Sequence, residues 1–192
     1  WMNQGTYIVI DGIKTRMLTM GAGEPLILIH GSQMSLYDWR FNIGELSKGF
    51  RVYALDMVGC GFTGKPCVDY SPEYFSEFIG KVMRKLEIQK ASFVASSWGG
   101  GHVLHFALRH PEKVDKLVLS SPCGLPHKMN LTETVLAMPV VANIMMLFVT
   151  KGLVRKQLDE VFEKKELIND ELVDSVYLPM FTKGFITAIA RS

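Results

Sequence analysis

Four short apolar runs constrain this chain more than any other feature. Leu26-Ile27-Leu28-Ile29-His30, Val52-Tyr53-Ala54-Leu55, Ser92-Phe93-Val94-Ala95 and Leu117-Val118-Leu119 are too short for helices and do not alternate with polar residues. A strand with one wet face alternates, whereas a strand covered on both faces reads as an unbroken apolar run, the habit of parallel sheets. Parallel neighbours need crossover connections, so the intervening segments should hold helices. The clearest of these starts at Ser71, a favoured N-cap, with Pro72 as its first helical residue. Tyr74, Phe75, Phe78, Ile79, Val82, Met83 and Leu86 then recur at three- and four-residue spacing, one apolar stripe that ends near Glu87. Upstream, residues 7–10 and 15–20 flank Asp11-Gly12, a dipeptide that accepts the positive φ angles of a tight hairpin. Strand and helix alternating over residues 26–121 predict an α/β fold, a mostly parallel sheet with right-handed crossovers.

After Ser120-Ser121-Pro122-Cys123-Gly124 the texture changes. From about residue 131 only helical patterns remain, separated by Pro139, Lys151-Gly152, Asn169-Asp170 and Pro179. The expected division is therefore an α/β core over residues 1–124 and a helical insertion over residues 125–192. Met138, Met145, Met146, Leu147 and Phe148 would give that insertion an adaptable apolar surface. The apolar run over residues 135–149 is shorter than a membrane span and contains Pro139 and Asn143, so no stable membrane insertion is expected.

With 192 residues, 48% of them hydrophobic, the chain can bury one substantial core. Its 21 basic and 19 acidic side chains are mixed along the sequence, which leaves no basic patch for nucleic acid or an anionic membrane. A small-molecule partner is expected. Three cysteines without a C-x-x-C pair suit reduced thiols in a cytoplasmic setting, with no metal site. No charged segment followed by an apolar one opens the chain, so no signal peptide is expected.

The strongest chemical motif is the strand ending at Ala95 that turns at once, through Ser96-Ser97-Trp98, into the glycine-rich helix start Gly99-Gly100-Gly101. A nucleophile elbow needs small residues two before and two after its serine, because strand and helix approach closely; here these are Ala95 and Gly99. The plainer alternative is a serine acting only as helix N-cap. What favours Ser97 as nucleophile is His30-Gly31-Ser32 at the end of an earlier strand. Acyl transfer needs two backbone N–H donors for the developing oxyanion, one after the nucleophile and one from such a loop. Trp98 and Ser32 are the candidates for this oxyanion hole, with Gln33 next to Ser32.

His30-Gly31-Ser32, Asp56-Met57-Val58-Gly59-Cys60-Gly61 and the Ser97 elbow together resemble the α/β-hydrolase family, over about residues 5 to 192. The resemblance is to its branch with a helical cap, which includes carboxylesterases, carbon–carbon bond hydrolases of aromatic degradation, epoxide hydrolases and haloalkane dehalogenases. It implies an α/β-hydrolase fold with residues 125–192 as the cap, and an enzyme acting on a small, mainly apolar substrate without cofactor. A serine nucleophile also chooses among these chemistries. Aspartate forms an alkyl ester that water can hydrolyse, whereas serine would be left as a stable ether, so Ser97 points to esters, thioesters, amides or activated ketones.

Gly59-Cys60-Gly61-Phe62-Thr63-Gly64-Lys65 mimics a nucleotide loop. Pro66 stands where Mg²⁺ would need a hydroxyl, and the next helix waits until Pro72, so no nucleotide is expected. The general base is the harder question. His102, His105 and His110 lie along the helix after Ser97 and read as structural, with His110 complementing the helix C-terminal dipole. His30 belongs to the oxyanion segment, and His127 sits in a loop that could overhang the site. The family order is Ser, then acid, then His. The triad His and Asp are therefore expected beyond residue 192, in two further strand–helix units of about 30 residues each. The competing expectation is a non-catalytic, hydrolase-like small-molecule-binding protein.

Overall fold

The computed structural model describes residues 4–124, 148–189 and 191. Its first strands, β1 (Thr6–Ile10) and β2 (Ile13–Met20), form the expected hairpin, with Asp11 at φ 47° and Gly12 at φ 77° in the turn. Four further strands follow, β3 (Pro25–Ile29), β4 (Arg51–Leu55), β5 (Ala91–Ser96) and β6 (Val114–Ser120). The sheet order is β1-β2-β4-β3-β5-β6; β2 meets β4 antiparallel, and β4, β3, β5 and β6 are mutually parallel.

Both faces of β3, β4 and β5 are covered, which is why their sequences do not alternate; β6 departs from this reading, since it lies at the sheet edge with Leu117 and Leu119 half-buried and Val118 58% exposed. Ile27, Ile29, Tyr53, Leu55, Phe93 and Ala95 face one way, against α2 (Pro72–Lys85) and α3 (Ser97–Arg109). Leu26, Leu28, Val52 and Ala54 face the other, against a 3₁₀ turn at Leu36–Trp39 and the short helix α1 (Ile43–Leu46). The period of two survives in the direction of burial even where polarity conceals it. Helix α2 starts as read: the Ser71 side chain accepts from the Tyr74 N–H at 3.2 Å, and Pro72 opens the first turn.

The chain leaves β3 toward β4 on one side and later returns to place β5 on the other. Constant crossover handedness then sends α1 and α2 to opposite faces. The β3–β5 junction is thus the switch point of the sheet, and crevices for ligands open at the carboxyl ends of such strands. Register fixes what meets there: Ile29 pairs with Ala95, so the residues after each strand lie side by side.

Beyond β6 the described residues are helical, with α4 (Lys151–Val161), α5 (Asp170–Tyr177) and α6 (Phe185–Ile189). Val154, Leu158, Leu172 and Val173 close on Tyr37, whose hydroxyl donates to Glu171 Oε2 at 3.2 Å. These helices therefore sit over the turn that follows the β3 loop. No helix among the described residues is long and apolar enough to cross a membrane.

Candidate active site

Ser97 stands where β5 becomes α3, with φ at +51°. The left-handed region costs an L-residue roughly 1–2 kcal/mol, so surrounding packing must impose it. That packing is visible. A Cβ on Gly99 would strike the His30 carbonyl oxygen and come within 2.7 Å of Ile29 Cγ2, so only glycine lets α3 start this close to β3. Ser96 occupies the N-cap position in extended backbone but makes no side-chain capping bond. Among the described residues the Ser97 hydroxyl has one hydrogen-bonding partner, Cys123 Sγ at 3.9 Å. Neither serine spends its hydroxyl on capping, as the plainer alternative required.

The β3 loop is held from below. His30 is fully buried; its Nε2 accepts from the Met57 N–H at 3.0 Å, which leaves the proton on Nδ1 to be donated to the Gly31 carbonyl at 2.6 Å. The imidazole thus ties the end of β3 to the loop after β4. Gly31 faces Ser97, since a Cβ there would lie 3.5 Å from Ser97 Cβ. Ser32 is exposed, Gln33 turns the loop at φ +58°, and Ser32 and Trp98 line one narrow pocket of about 20 Å³ with Tyr70, Phe75, Phe185 and Ala188. The side chains on either side of Ser97 are therefore brought to one place.

The Trp98 ring packs edge-on against Phe75, with centroids 4.5 Å apart, and against His102 at 4.3 Å. His102 lies 4.2 Å from Phe75, and burial, with His105 adding to it, pushes its imidazole down to about 4. His105 faces Glu73 at 3.6 Å, and His110 caps α3 with its ring 3.7 Å from Glu112. His127 lies outside the described residues. In the glycine loop Lys65 donates to the carbonyls of Gly61 and Thr63 at 2.7 and 3.1 Å, so its ammonium is engaged within its own loop.

Residues 24–143 match the model of the α/β hydrolase fold. The chain belongs to that family. As an α/β hydrolase it is 34% identical over 194 residues to a 2-hydroxymuconate semialdehyde hydrolase of Pseudomonas sp. (strain CF600), covering 97% of this chain and 64% of that one. It is 33% identical over 194 residues to a 2-hydroxy-6-oxo-2,4-heptadienoate hydrolase of Pseudomonas putida, covering 97% of this chain and 66% of the relative. A solved meta-cleavage product hydrolase from Pseudomonas fluorescens IP01 superimposes with a TM-score of 0.78 at 34% identity, covering 97% of this chain and 67% of that structure. The chain thus spans about two thirds of the length of these α/β-hydrolase relatives, and less than that of the first two.

Two side chains have roles in the site that the sequence reading did not assign. Asp56 is completely buried; it accepts from the N–H groups of Leu36 at 2.7 Å and Phe62 at 2.8 Å and lies 3.6 Å from the Arg16 guanidinium. One carboxylate thereby anchors both loops that flank the pocket. The available clue was Arg16, a charged side chain between Thr15 and Met17 in β2. Asp38 is the other: burial raises its carboxyl, while His30 and the Gly31 N–H pull it the opposite way, so it is tied to the β3 loop.

Proposed function

We propose that this protein is a serine hydrolase that cleaves an acyl bond of a small, mainly apolar substrate, and that the bond is a carbon–carbon bond beside a ketone in a conjugated oxo acid. In this reading residues 125–192 are the cap over the site, with 125–147 lying outside the described residues. The left-handed Ser97 at the end of β5, facing Gly31 of the β3 loop, carries the reading. A hydroxyl presented on a strained turn and engaged, among the described residues, only by a thiol is available to attack. The relatives supply the substrate class, since two of them are hydrolases of a conjugated semialdehyde and an oxo-dienoate.

In this reading Ser97 Oγ adds to the carbonyl carbon, and the N–H groups of Trp98 and Ser32 receive the charge that grows on its oxygen. Collapse breaks the carbon–carbon bond; the departing carbon keeps the electron pair, spread through its conjugated system, and takes a proton. Water then releases the acyl group as a carboxylic acid. The general base and its carboxylate partner come from outside the described residues. No cofactor is required for these steps.

The test is turnover of a 2-hydroxy-6-oxo-dienoate by the full-length protein, followed as loss of the conjugated chromophore. Cleavage by wild type and a loss of about 10⁴-fold or more in Ser97→Ala support the reading. Saturable binding of the compound with no cleavage would instead establish the non-catalytic binding protein.

A further inference from the structure

The turn after the β3 loop belongs to two clusters at once. Leu36 and Trp39 pack against Leu26, Leu28, Val52 and Ala54 of the sheet. Tyr37, only 2% exposed, instead joins Val154, Leu158, Ile168, Leu172 and Val173 of the segment beyond β6. Among the described residues it is the single member of that cluster from the first 124 residues. Burial raises its phenol, so the hydroxyl keeps its proton and donates to Glu171 Oε2 at 3.2 Å, in the first turn of α5. The Arg40 guanidinium lies 4.4 Å from the ring centre, and its Nη1 donates to the Tyr37 carbonyl at 3.2 Å. The side chain is therefore gripped from both the sheet side and the helical side.

From Tyr37 back to Ser32 the backbone is held by successive bonds. The Tyr37 N–H donates to Ser35 Oγ at 3.3 Å and the Asp38 N–H to the Ser35 carbonyl at 3.0 Å. Leu36 donates its N–H to Asp56, and the Asp38 carboxyl is tied to the Gly31 N–H. The Met34 N–H reaches the Gly31 carbonyl at 3.4 Å, which makes Ser32 and Gln33 the corners of a closed turn. Whatever shifts residues 36–38 therefore shifts the Ser32 N–H. An oxyanion donor works only within about 2.7–3.1 Å of its oxygen, and a displacement of about 1 Å can cost about 100-fold in rate.

We propose that Tyr37 is a positioning residue: seated among the helices beyond β6 and bonded to Glu171, it fixes the turn that aims the Ser32 N–H at the oxyanion. The helices beyond β6 thereby act on the chemical step through this one side chain. The inference rests on the reading of Ser97 as nucleophile and Ser32 as oxyanion donor. It also separates two roles for the same helices. As a wall of the pocket they would govern how tightly a ligand binds. As the seat of Tyr37 they govern a charge that exists only once Ser97 has attacked, so their loss slows the chemical step and leaves binding as it was.

The test is the concentration dependence of Ser97 phosphonylation by a fluorophosphonate on the full-length protein, because its phosphoryl oxygen occupies the oxyanion's place. This yields a limiting rate and an apparent binding constant for each variant. Tyr37→Phe keeps the ring and loses the hydroxyl, while Glu171→Ala removes the same bond from an exposed position. Each should lower the limiting rate about tenfold, the order of one charge-assisted hydrogen bond, with binding changed less than about twofold. The double variant should be no slower than either single one, since both remove one bond. Glu171→Gln keeps an acceptor and should recover most of the rate. Asp170→Ala breaks a 2.6 Å bond to Arg155 within the same helices and should change neither constant. Weaker binding at an undiminished limiting rate, or fewer reactive sites at an unchanged rate, overturns the positioning role; so do additive losses in the double variant. A labelled wild type with an unaffected Tyr37→Phe removes this inference alone, whereas a wild type that takes no label removes the Ser97 reading and this inference with it.

Discussion

Replacing Gly99 by alanine probes the contact that builds the elbow. Two effects oppose each other. Alanine in place of a helical glycine gains up to about 1 kcal/mol in backbone propensity. Against this, the new Cβ would strike the His30 carbonyl oxygen and approach Ile29 Cγ2 to 2.7 Å. Both residues are fully buried in or just after the central strand β3, so neither can swing aside as a flexible side chain would. The start of α3 must move out instead. Overpacking of this kind costs roughly 1–3 kcal/mol, and more where backbone is the obstacle, so the clash outweighs the propensity gain. Taking about 3 kcal/mol for a clash against backbone, less the roughly 1 kcal/mol of propensity, leaves about 2 kcal/mol, and at about 2–4 °C per kcal/mol for a chain of this size the melting temperature should fall by roughly 4–8 °C. Gly44→Ala in α1 is the control, because a Cβ there meets nothing within 4 Å; it should leave the melting temperature unchanged or raise it. Thermal unfolding followed by circular dichroism reads both variants. Activity offers a second readout, since displacing the Ser97–Trp98 backbone by about 1 Å should lower turnover about 100-fold. A Gly99→Ala protein as stable and as active as wild type would refute the close approach of α3 to β3 as the cause of the elbow.

Asp56→Asn removes the carboxylate charge beside buried Arg16 and turns a donor toward one of two backbone N–H groups. It should cost about 3–5 kcal/mol in urea unfolding; a loss under 1 kcal/mol would contradict its anchoring role. His102 has its imidazole at about 4 when folded against an ordinary 6.5, so as pH falls the unfolded chain takes up the proton first. Its contribution is intact above about pH 6.5 and drains away toward pH 4, by roughly 3 kcal/mol, and the pH dependence of unfolding should be correspondingly shallower in His102→Phe. Ser97→Gly relieves the left-handed strain and should raise stability by about 1 kcal/mol, measured by urea unfolding against Ser97→Ala, which keeps the strain.

The parallel strands, the hairpin at Asp11-Gly12 and the Ser71-Pro72 helix start were legible because each rests on local chemistry: apolar runs, positive φ tolerance, capping. The read end of α2 at Glu87 lies two residues past its last helical residue, Lys85, since Leu86 and a left-handed Glu87 already belong to the exit. Strand order was not legible. Nothing in Leu26-Ile27-Leu28-Ile29 says that it lies between β4 and β5, because that depends on which faces the helices cover. The same holds for Asp56, whose partners Arg16, Leu36 and Phe62 come from three separate elements. Ser97, Ser32 and Trp98 could be named from motif spacing; that the His102 ring would lie against Trp98 could not. The two are one helical turn apart, but which face of α3 meets Phe75 is set by how α2 packs.

The most direct measurement of the central claim is fluorophosphonate labelling of the full-length protein with mass-spectrometric mapping of the adduct. Stoichiometric phosphonylation on the peptide carrying Ser97, absent in Ser97→Ala, is the predicted result. Labelling that persists in Ser97→Ala, or maps to another serine, would contradict it.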